Sequence, residues 1–160
     1  WKDVGTLESL WDANMDMLAR DQLDLLESSW PIRARLSPLP PAFMGKKASV
    51  QHSVLTQGCC VEGTVENSVL SAGVTIAEGA KVAYSVLMPG VKVEPGAVVE
   101  YAIVGEGAVV GPQAKVGGDP AGYDPDQWGI AVLGPATKIG AGEVVAPKKM
   151  MNRDHEEVSR

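Results

Sequence analysis

The chain has 160 residues, with 18 glycines, 11 prolines, a single phenylalanine and a net charge of -6 at pH 7. This length suits about one domain, and the glycine and proline content favours short strands and turns over a helical bundle. With no long basic run and no apolar run near the roughly 18 residues of a membrane span, binding to nucleic acid or to a membrane is not expected.

The first segment, residues 1–29, is predicted to contain an amphipathic helix. Apolar side chains recur there at helical spacing, at Leu7, Leu10, Trp11, Asn14 or Met15, and Leu18. Thr6 is a suitable N-cap, and Glu8 and Asp12 lie near the positive end of the helix dipole. The chain opens with WKDVGT and no initiator methionine, which suggests a piece of a longer protein.

The second segment, residues 30–47, is predicted to be a proline-rich connector laid over a surface. It also contains the main basic cluster of the chain, formed by Arg33, Arg35, Lys46 and Lys47. Two interpretations remain open for these four residues. They are the solvated side chains of a connector, or they form part of an anion site.

A repeat occupies the third segment, residues 48–147. From Val65 to Val116, aliphatic residues recur with spacings of 5, 6 and 6, which makes a 17-residue unit repeated three times. An amphipathic helix needs spacings of three and four, so this period excludes it. The period instead predicts a parallel β-helix of roughly five coils, each with three flat faces. Corners that need positive φ angles are expected at glycines, namely Gly73, Gly79, Gly90, Gly96 and Gly107.

The inward residues of this β-helix are predicted to include Leu70, Ile76, Leu87, Val93, Val104 and Val110. Residues 117–131 interrupt the period and carry the residues of an inserted loop. Residues 148–160 are predicted to form a charged, solvated tail. Cys59 and Cys60 are adjacent, so a disulfide between them would be strained. We interpret them as fillers of a coil in a reduced, cytoplasmic protein rather than as a redox site.

Three stretches of the chain carry a resemblance to a known family: WKDVGTLESLWDANMDML, SWPIRARLSPLPPAF and SVLTQGCCVEGTVENSVLSAGV. Together they resemble the C-terminal part of bacterial ADP-glucose pyrophosphorylase, also called glucose-1-phosphate adenylyltransferase, from residue 1 to about residue 116. The repeat itself resembles the left-handed β-helix of hexapeptide-repeat proteins. The resemblance therefore implies a mainly β fold, a left-handed parallel β-helix preceded by an α-helix and a proline-rich connector.

The family resemblance implies an enzyme that joins ATP and glucose 1-phosphate into ADP-glucose and pyrophosphate, for glycogen synthesis, with Mg²⁺. By similarity, Asp3 would be a catalytic carboxylate that holds the Mg²⁺ ion, and Trp1 would line the glucose-phosphate pocket. Gly5 and Thr6 would shape the turn that positions Asp3. The intact W-x-D-x-G-T motif favours the catalytic over the regulatory paralogue. The family's nucleotide-binding glycine-rich loop is not in this sequence, so the chain alone is expected to be inactive.

The resemblance also implies partners. The segment would serve oligomerisation and allosteric regulation, in a homotetramer or in a hetero-oligomer with a regulatory paralogue. A phosphorylated metabolite is a candidate effector, and Arg33, Arg35, Lys46 and Lys47 are the candidate residues to bind it.

An alternative class is a hexapeptide-repeat acyltransferase or a non-catalytic β-helix scaffold. In an acyltransferase, His52 would be the general base, whereas the plainer interpretation makes His52 an exposed residue of a coil. A zinc enzyme would need about three histidine ligands, and the chain has two histidines. Asp3 taken alone would be a solvated or helix-capping residue.

Overall fold

The structure is a computed structural model that describes residues 3–19, 29, 31 and 38–153. Helix α1 spans Leu7–Met15 and continues as a 3-10 turn over Asp16–Leu18. Thr6 caps the helix as predicted, because its Oγ1 accepts the backbone N–H of Ser9 at 3.1 Å. The Ser9 hydroxyl accepts the backbone N–H of Thr6 at 3.0 Å in return, which completes a capping box.

Within the described residues, eighteen short strands form three parallel six-stranded sheets, and each coil contributes one strand to each sheet. Sheet A contains β1 (Phe43–Met44), β4 (Cys60–Val61), β7 (Thr75–Ile76), β10 (Lys92–Val93), β13 (Val109–Val110) and β16 (Lys138–Ile139). Sheet B contains β2 (Ser49–Gln51), β5 (Thr64–Glu66), β8 (Lys81–Ala83), β11 (Val98–Glu100), β14 (Lys115–Gly117) and β17 (Val144–Val145). Sheet C contains β3 (Val54–Leu55), β6 (Val69–Leu70), β9 (Val86–Leu87), β12 (Ala102–Val104), β15 (Ala131–Leu133) and β18 (Met150–Met151). The predicted mainly β fold, a parallel β-helix of hexapeptide type, is confirmed.

The β-helix has six coils rather than roughly five, because it extends past both predicted ends. Strand β1 lies inside the predicted connector, where Phe43 and Met44 pair with Cys60 and Val61 of β4. Strand β18 lies inside the predicted tail and pairs with β15. The aliphatic period did not mark these two strands, because phenylalanine and methionine take the places of valine and leucine there.

The core lies along the axis of the β-helix. The six predicted inward residues are all buried, with exposures of 0–1%. Because the strands pair in register, aliphatic side chains of successive coils lie directly on one another, for example Leu70 on Leu87 and Ile76 on Val93. Burying one such aliphatic side chain contributes about 1.5–3 kcal/mol relative to leaving it exposed. The stack therefore stabilises each coil against its neighbours.

The corners of the coils are built in two ways. The five predicted corner glycines all have positive φ angles, between 66° and 75°. At the corner between sheets B and C, the first four coils instead use non-glycine residues with positive φ, which are His52, Asn67, Tyr84 and Tyr101. Later in the chain, Gln113 and Ala136 have positive φ at the other two corners, and Lys148 has it between β17 and β18. Such residues cost roughly 1–2 kcal/mol in this conformation, so other contacts must hold the corner between sheets B and C in place.

The inserted loop of residues 118–130 leaves the β-helix at this same corner, between β14 and β15. It contains a 3-10 turn over Pro120–Gly122, and the indole N–H of Trp128 donates to the carbonyl oxygen of Gly118 at 2.8 Å. This bond closes the base of the loop. Because β15 still pairs with β12, the coil resumes after the loop, as the sequence predicted.

Helix α1 packs on the outer face of sheet C. That face carries a second apolar cluster, whose buried members are Val86, Ile103, Ile130 and Val132. The helix covers them with the predicted apolar face, through Leu7, Leu10, Trp11 and Met15. Within the described ranges, no helix combines the length and the apolar character required to cross a bilayer.

Candidate functional site

Asp3 lies three residues before the helix cap and is exposed. A Cβ atom added at Gly5 would lie 3.5 Å from the Asp3 carboxylate, an ordinary contact distance, so the space there does not require glycine. The capping box at Thr6 fixes the start of the helix that follows Asp3. The role of Gly5 and Thr6 in positioning Asp3 stays a prediction. Trp1, the predicted sugar-phosphate contact, lies outside the described residues.

A magnesium ion does not fit the described residues alone. Mg²⁺ is held in octahedral geometry by carboxylates, waters and substrate phosphates, and Asp3 offers one exposed carboxylate. Among the residues that the structure describes, no group of three histidine, cysteine, aspartate or glutamate side chains could hold a metal ion. We therefore derive no chemical step through Mg²⁺ from this chain.

Lys46 and Lys47 lie at the corner between β1 and β2, where sheets A and B meet. They are therefore on a different side of the β-helix from α1, which covers sheet C. A depression of about 100 Å³ at this corner is lined by Gly45, Lys46, Lys47, Glu62 and Glu78. Lys47 forms an exposed ion pair with Glu78. Their hydrogen bond, reinforced by the opposite charges, raises the pKa of Lys47 and lowers the pKa of Glu78.

The negative charges of Glu62 and Glu78 thus offset the positive charges of Lys46 and Lys47 around this depression. The lining therefore has no excess of positive charge that would attract an anion. The other two predicted effector-binding residues, Arg33 and Arg35, lie outside the described residues. Binding of a phosphorylated effector by these four residues stays a prediction.

His52 is exposed at the corner between β2 and β3, and its Nδ1 lies 2.8 Å from the amide Oδ1 of Asn67. Because that oxygen only accepts, we assign the Nδ1–H as the donor, which leaves Nε2 free of the proton in the neutral ring. A cavity of about 280 Å³ adjoins the ring, lined by Met17, Leu18, His52, Ser53 and Val54. Asn67 was not predicted from the sequence, although it occupies the position of His52 one coil further on.

The structure also brings together four aromatic side chains that sequence reasoning did not group: Trp11, Tyr84, Tyr101 and Trp128. We call this group the aromatic cluster. Tyr84 and Tyr101 stack with ring centroids 4.7 Å apart, and Trp128 meets Tyr101 edge-on at 5.3 Å. Burial raises the pKa of the Tyr101 hydroxyl, with a smaller contribution from Tyr84. The signal available in the sequence was the spacing of Tyr84 and Tyr101, which equals the 17-residue repeat.

Both cysteines are free thiols, Cys59 buried and Cys60 half-buried. The Cys59 sulfur lies 3.3 Å from the carbonyl oxygen of Ser71, inside the coil. This placement supports the interpretation of Cys59 as a filler of the coil.

The family of the β-helix follows from comparison with known proteins. A family model described as GlmU-like, C-terminal hexapeptide, matches residues 40–134. This match covers more than half of the chain and coincides with the coils from β1 to β15. The chain belongs to this hexapeptide family.

Relatives of this hexapeptide-family chain include proteins named glucose-1-phosphate adenylyltransferase. The one from Clostridioides difficile (strain 630) is 47% identical over 83 residues, and these cover 51% of this chain and 22% of the relative. The one from Geobacillus stearothermophilus is 51% identical over 83 residues, covering 51% of this chain and 21% of the relative. The match thus spans about a fifth of the length of these relatives. It confirms the resemblance stated from the sequence.

Among solved structures, the hexapeptide-family chain is similar to the acetyltransferase domain of PglB from Neisseria gonorrhoeae FA1090. The TM-score is 0.57 at 22% sequence identity, over 74% of this chain and 58% of that one. At this identity the likeness shows the shared β-helix fold and no more.

Proposed function

We propose that this chain is the C-terminal β-helix region of a bacterial glucose-1-phosphate adenylyltransferase. The enzyme would join ATP and glucose 1-phosphate into ADP-glucose and pyrophosphate, in the cytoplasm and toward glycogen synthesis. One observation carries this proposal, the 47–51% identity over 83 residues to relatives that bear this name.

In the proposed reaction, an oxygen of the sugar phosphate attacks the α-phosphorus of ATP in line, and pyrophosphate leaves. Such transfers depend on positioning and on neutralising the charge that develops on the phosphates. Asp3 is the one proposed catalytic residue in this chain, with Trp1 at the sugar phosphate. Mg²⁺ would supply the charge neutralisation when bound, and its other ligands would have to come from beyond the described residues.

The β-helix itself would serve assembly and regulation. In the part of the chain that the structure describes, β1, β2 and β3 are edge strands of their sheets, and edge strands favour association. Leu39, Phe43 and Met44 are exposed beside that edge, at 41%, 57% and 60%. These features support contacts with further subunits, in a homotetramer or with a regulatory paralogue. An allosteric phosphorylated metabolite would act through the basic residues Arg33, Arg35, Lys46 and Lys47.

The test is an assay of ADP-glucose formation with two proteins. One is the 160-residue chain, and the other is the product of the whole open reading frame that contains it. We expect turnover from the longer protein and none from the chain. Turnover by the chain alone, or none by the longer protein, would contradict the proposal.

A second candidate, an acyltransferase, is favoured by the oriented imidazole of His52 beside the cavity at Met17 and Leu18. Its partner Asn67 is neutral, so it orients the ring without stabilising a protonated imidazole as a carboxylate would. Release of free thiol from acetyl coenzyme A by the chain, abolished by His52→Ala, would favour this candidate over the first.

A further inference from the structure

A side chain of α1 makes a polar bond to the β-helix within an otherwise apolar cluster. The indole N–H of Trp11 donates to the backbone carbonyl oxygen of Tyr84 at 2.8 Å. Leu7, Leu10 and Met15 pack against the same apolar cluster. Apolar packing is non-directional, whereas a hydrogen bond is directional, so the Trp11 bond favours one position of the helix along sheet C.

The acceptor of this bond is held in place from several directions. Tyr84 has a φ angle of 48° at the corner between sheets B and C, a conformation that the neighbouring coils must enforce. Its ring stacks on the ring of Tyr101 with planes 8° apart, and the centroid of the Trp11 ring lies 6.2 Å from that of Tyr101. Trp128 closes the aromatic cluster from the inserted loop. Coil, helix and loop therefore meet at this one cluster.

Asp3 is joined to this cluster by a short and ordered length of chain. Seven residues lie between Asp3 and Trp11, and the second part of that stretch, from Leu7 onward, is helix fixed at its start by the capping box. A displacement of Trp11 along sheet C would therefore carry the Asp3 turn with it.

We propose that Trp11 is a positioning residue, which fixes the Asp3 turn relative to the β-helix through its bond to the Tyr84 carbonyl. Trp11 touches no substrate in this role. Its effect on turnover rests on the proposed function, whereas its effect on the position of α1 does not.

The first experiment uses the 160-residue chain and measures amide hydrogen exchange in residues 4–10. Trp11→Phe keeps a ring in the aromatic cluster but removes the N–H donor. Loss of one hydrogen bond should speed exchange there about fivefold to tenfold. Tyr123→Phe, on the inserted loop, is the matched control and should leave exchange unchanged. Exchange as slow in Trp11→Phe as in the wild type would overturn the proposal, whatever the activity of the longer protein.

The second experiment uses the longer protein and separates positioning from mere stability. Trp11→Phe should lower kcat about fivefold to tenfold, with the KM of both substrates within about twofold, since misplacement affects the transition state. Leu10→Ala weakens the same helix packing without removing the hydrogen bond. If kcat falls in step with melting temperature across both variants, Trp11 is structural only and the proposal fails. An inactive wild-type protein would contradict the proposed function instead, and hydrogen exchange would still decide the role of Trp11.

Discussion

The hydroxyl of Ser68 accepts the backbone N–H of Ser85 from the next coil at 3.1 Å. The same relationship recurs on both sides, because Ser53 accepts the N–H of Ser68 and Ser85 accepts the N–H of Ala102, each at 3.1 Å. Each hydroxyl of Ser68 and Ser85 also donates to the carbonyl oxygen two residues before it. This serine ladder runs inside the corner where the residues with positive φ lie, and it supplies contacts that hold those residues in place.

Ser85→Ala should be strongly destabilising. Ser85 is fully buried, and the change leaves the Ala102 N–H without this acceptor. The Ala83 carbonyl oxygen keeps the backbone N–H of Tyr101 at 3.1 Å. One unsatisfied buried group costs about 1–3 kcal/mol, so we expect the free energy of unfolding to fall by about 1–3 kcal/mol. Urea denaturation measures this value. Ser71→Ala, at a half-buried position outside the ladder, is the control, and an equal loss in both variants would contradict the ladder.

Val93→Asp tests the register of the core. Val93 is 1% exposed and stacks between Ile76 and Val110. A carboxylate there has no partner, so the loss of stability should reach several kcal/mol, and the chain is expected to melt far below the wild type. Lys92→Asp changes the preceding, outward-facing residue and should have little effect. A melting temperature unaffected by Val93→Asp would show that the inward register is wrong.

The sequence predicted the axis of the β-helix well, because one valine or leucine per face and a glycine at two of the three corners repeat at a fixed period. The repeat placed Leu87 and Val104 on the axis, and strand alternation then turns their neighbours Val86 and Ile103 outward. The repeat did not show that α1 covers these two outward side chains, because the helix lies outside the repeat. The aromatic cluster was not predicted from the sequence for a related reason. Trp11 and Tyr84 are 73 residues apart, and only the coiling brings them together.

Thr137→Val should stabilise the chain. Thr137 is fully buried, and its hydroxyl has no hydrogen-bond partner among the residues that the structure describes. Val74 and Val91 take the equivalent inward place in earlier coils, one residue before β7 and β10. Removing an unsatisfied buried hydroxyl with little change in shape should add about 1 kcal/mol, or about 2–4 °C in melting temperature.

The control for Thr137 is Thr75→Val, at a half-buried outward position, which should change stability by less than about 0.5 kcal/mol. A lower melting temperature for Thr137→Val than for the wild type would indicate a hydrogen bond to the Thr137 hydroxyl.

The ion pair of Lys47 and Glu78 should be detectable as a lowered pKa of the Glu78 carboxyl group. The folded-state pKa of Glu78 is lowered by its hydrogen bond to Lys47 and by the lysine charge. Its stabilising effect is therefore complete above the ordinary glutamate pKa and is lost as the pH falls through the lowered value. Because both side chains are largely exposed, the effect on stability is small. Carboxyl NMR should show the pKa of Glu78 rising in Lys47→Met and not in Lys46→Met; the same pKa in both variants would contradict the pair.

Asp3→Asn tests the single catalytic residue proposed for this chain. The substitution keeps the size of the side chain and removes its charge. Because Asp3 is exposed, the melting temperature of the 160-residue chain should not change. In the longer protein, ADP-glucose formation should fall on the order of 10²-fold, as for other charged groups placed against a transition state. Asp12→Asn, which changes an exposed carboxylate on helix α1, is the matched control and should keep full turnover. Equal turnover of Asp3→Asn and Asp12→Asn would reduce Asp3 to a residue that shapes the entry to α1.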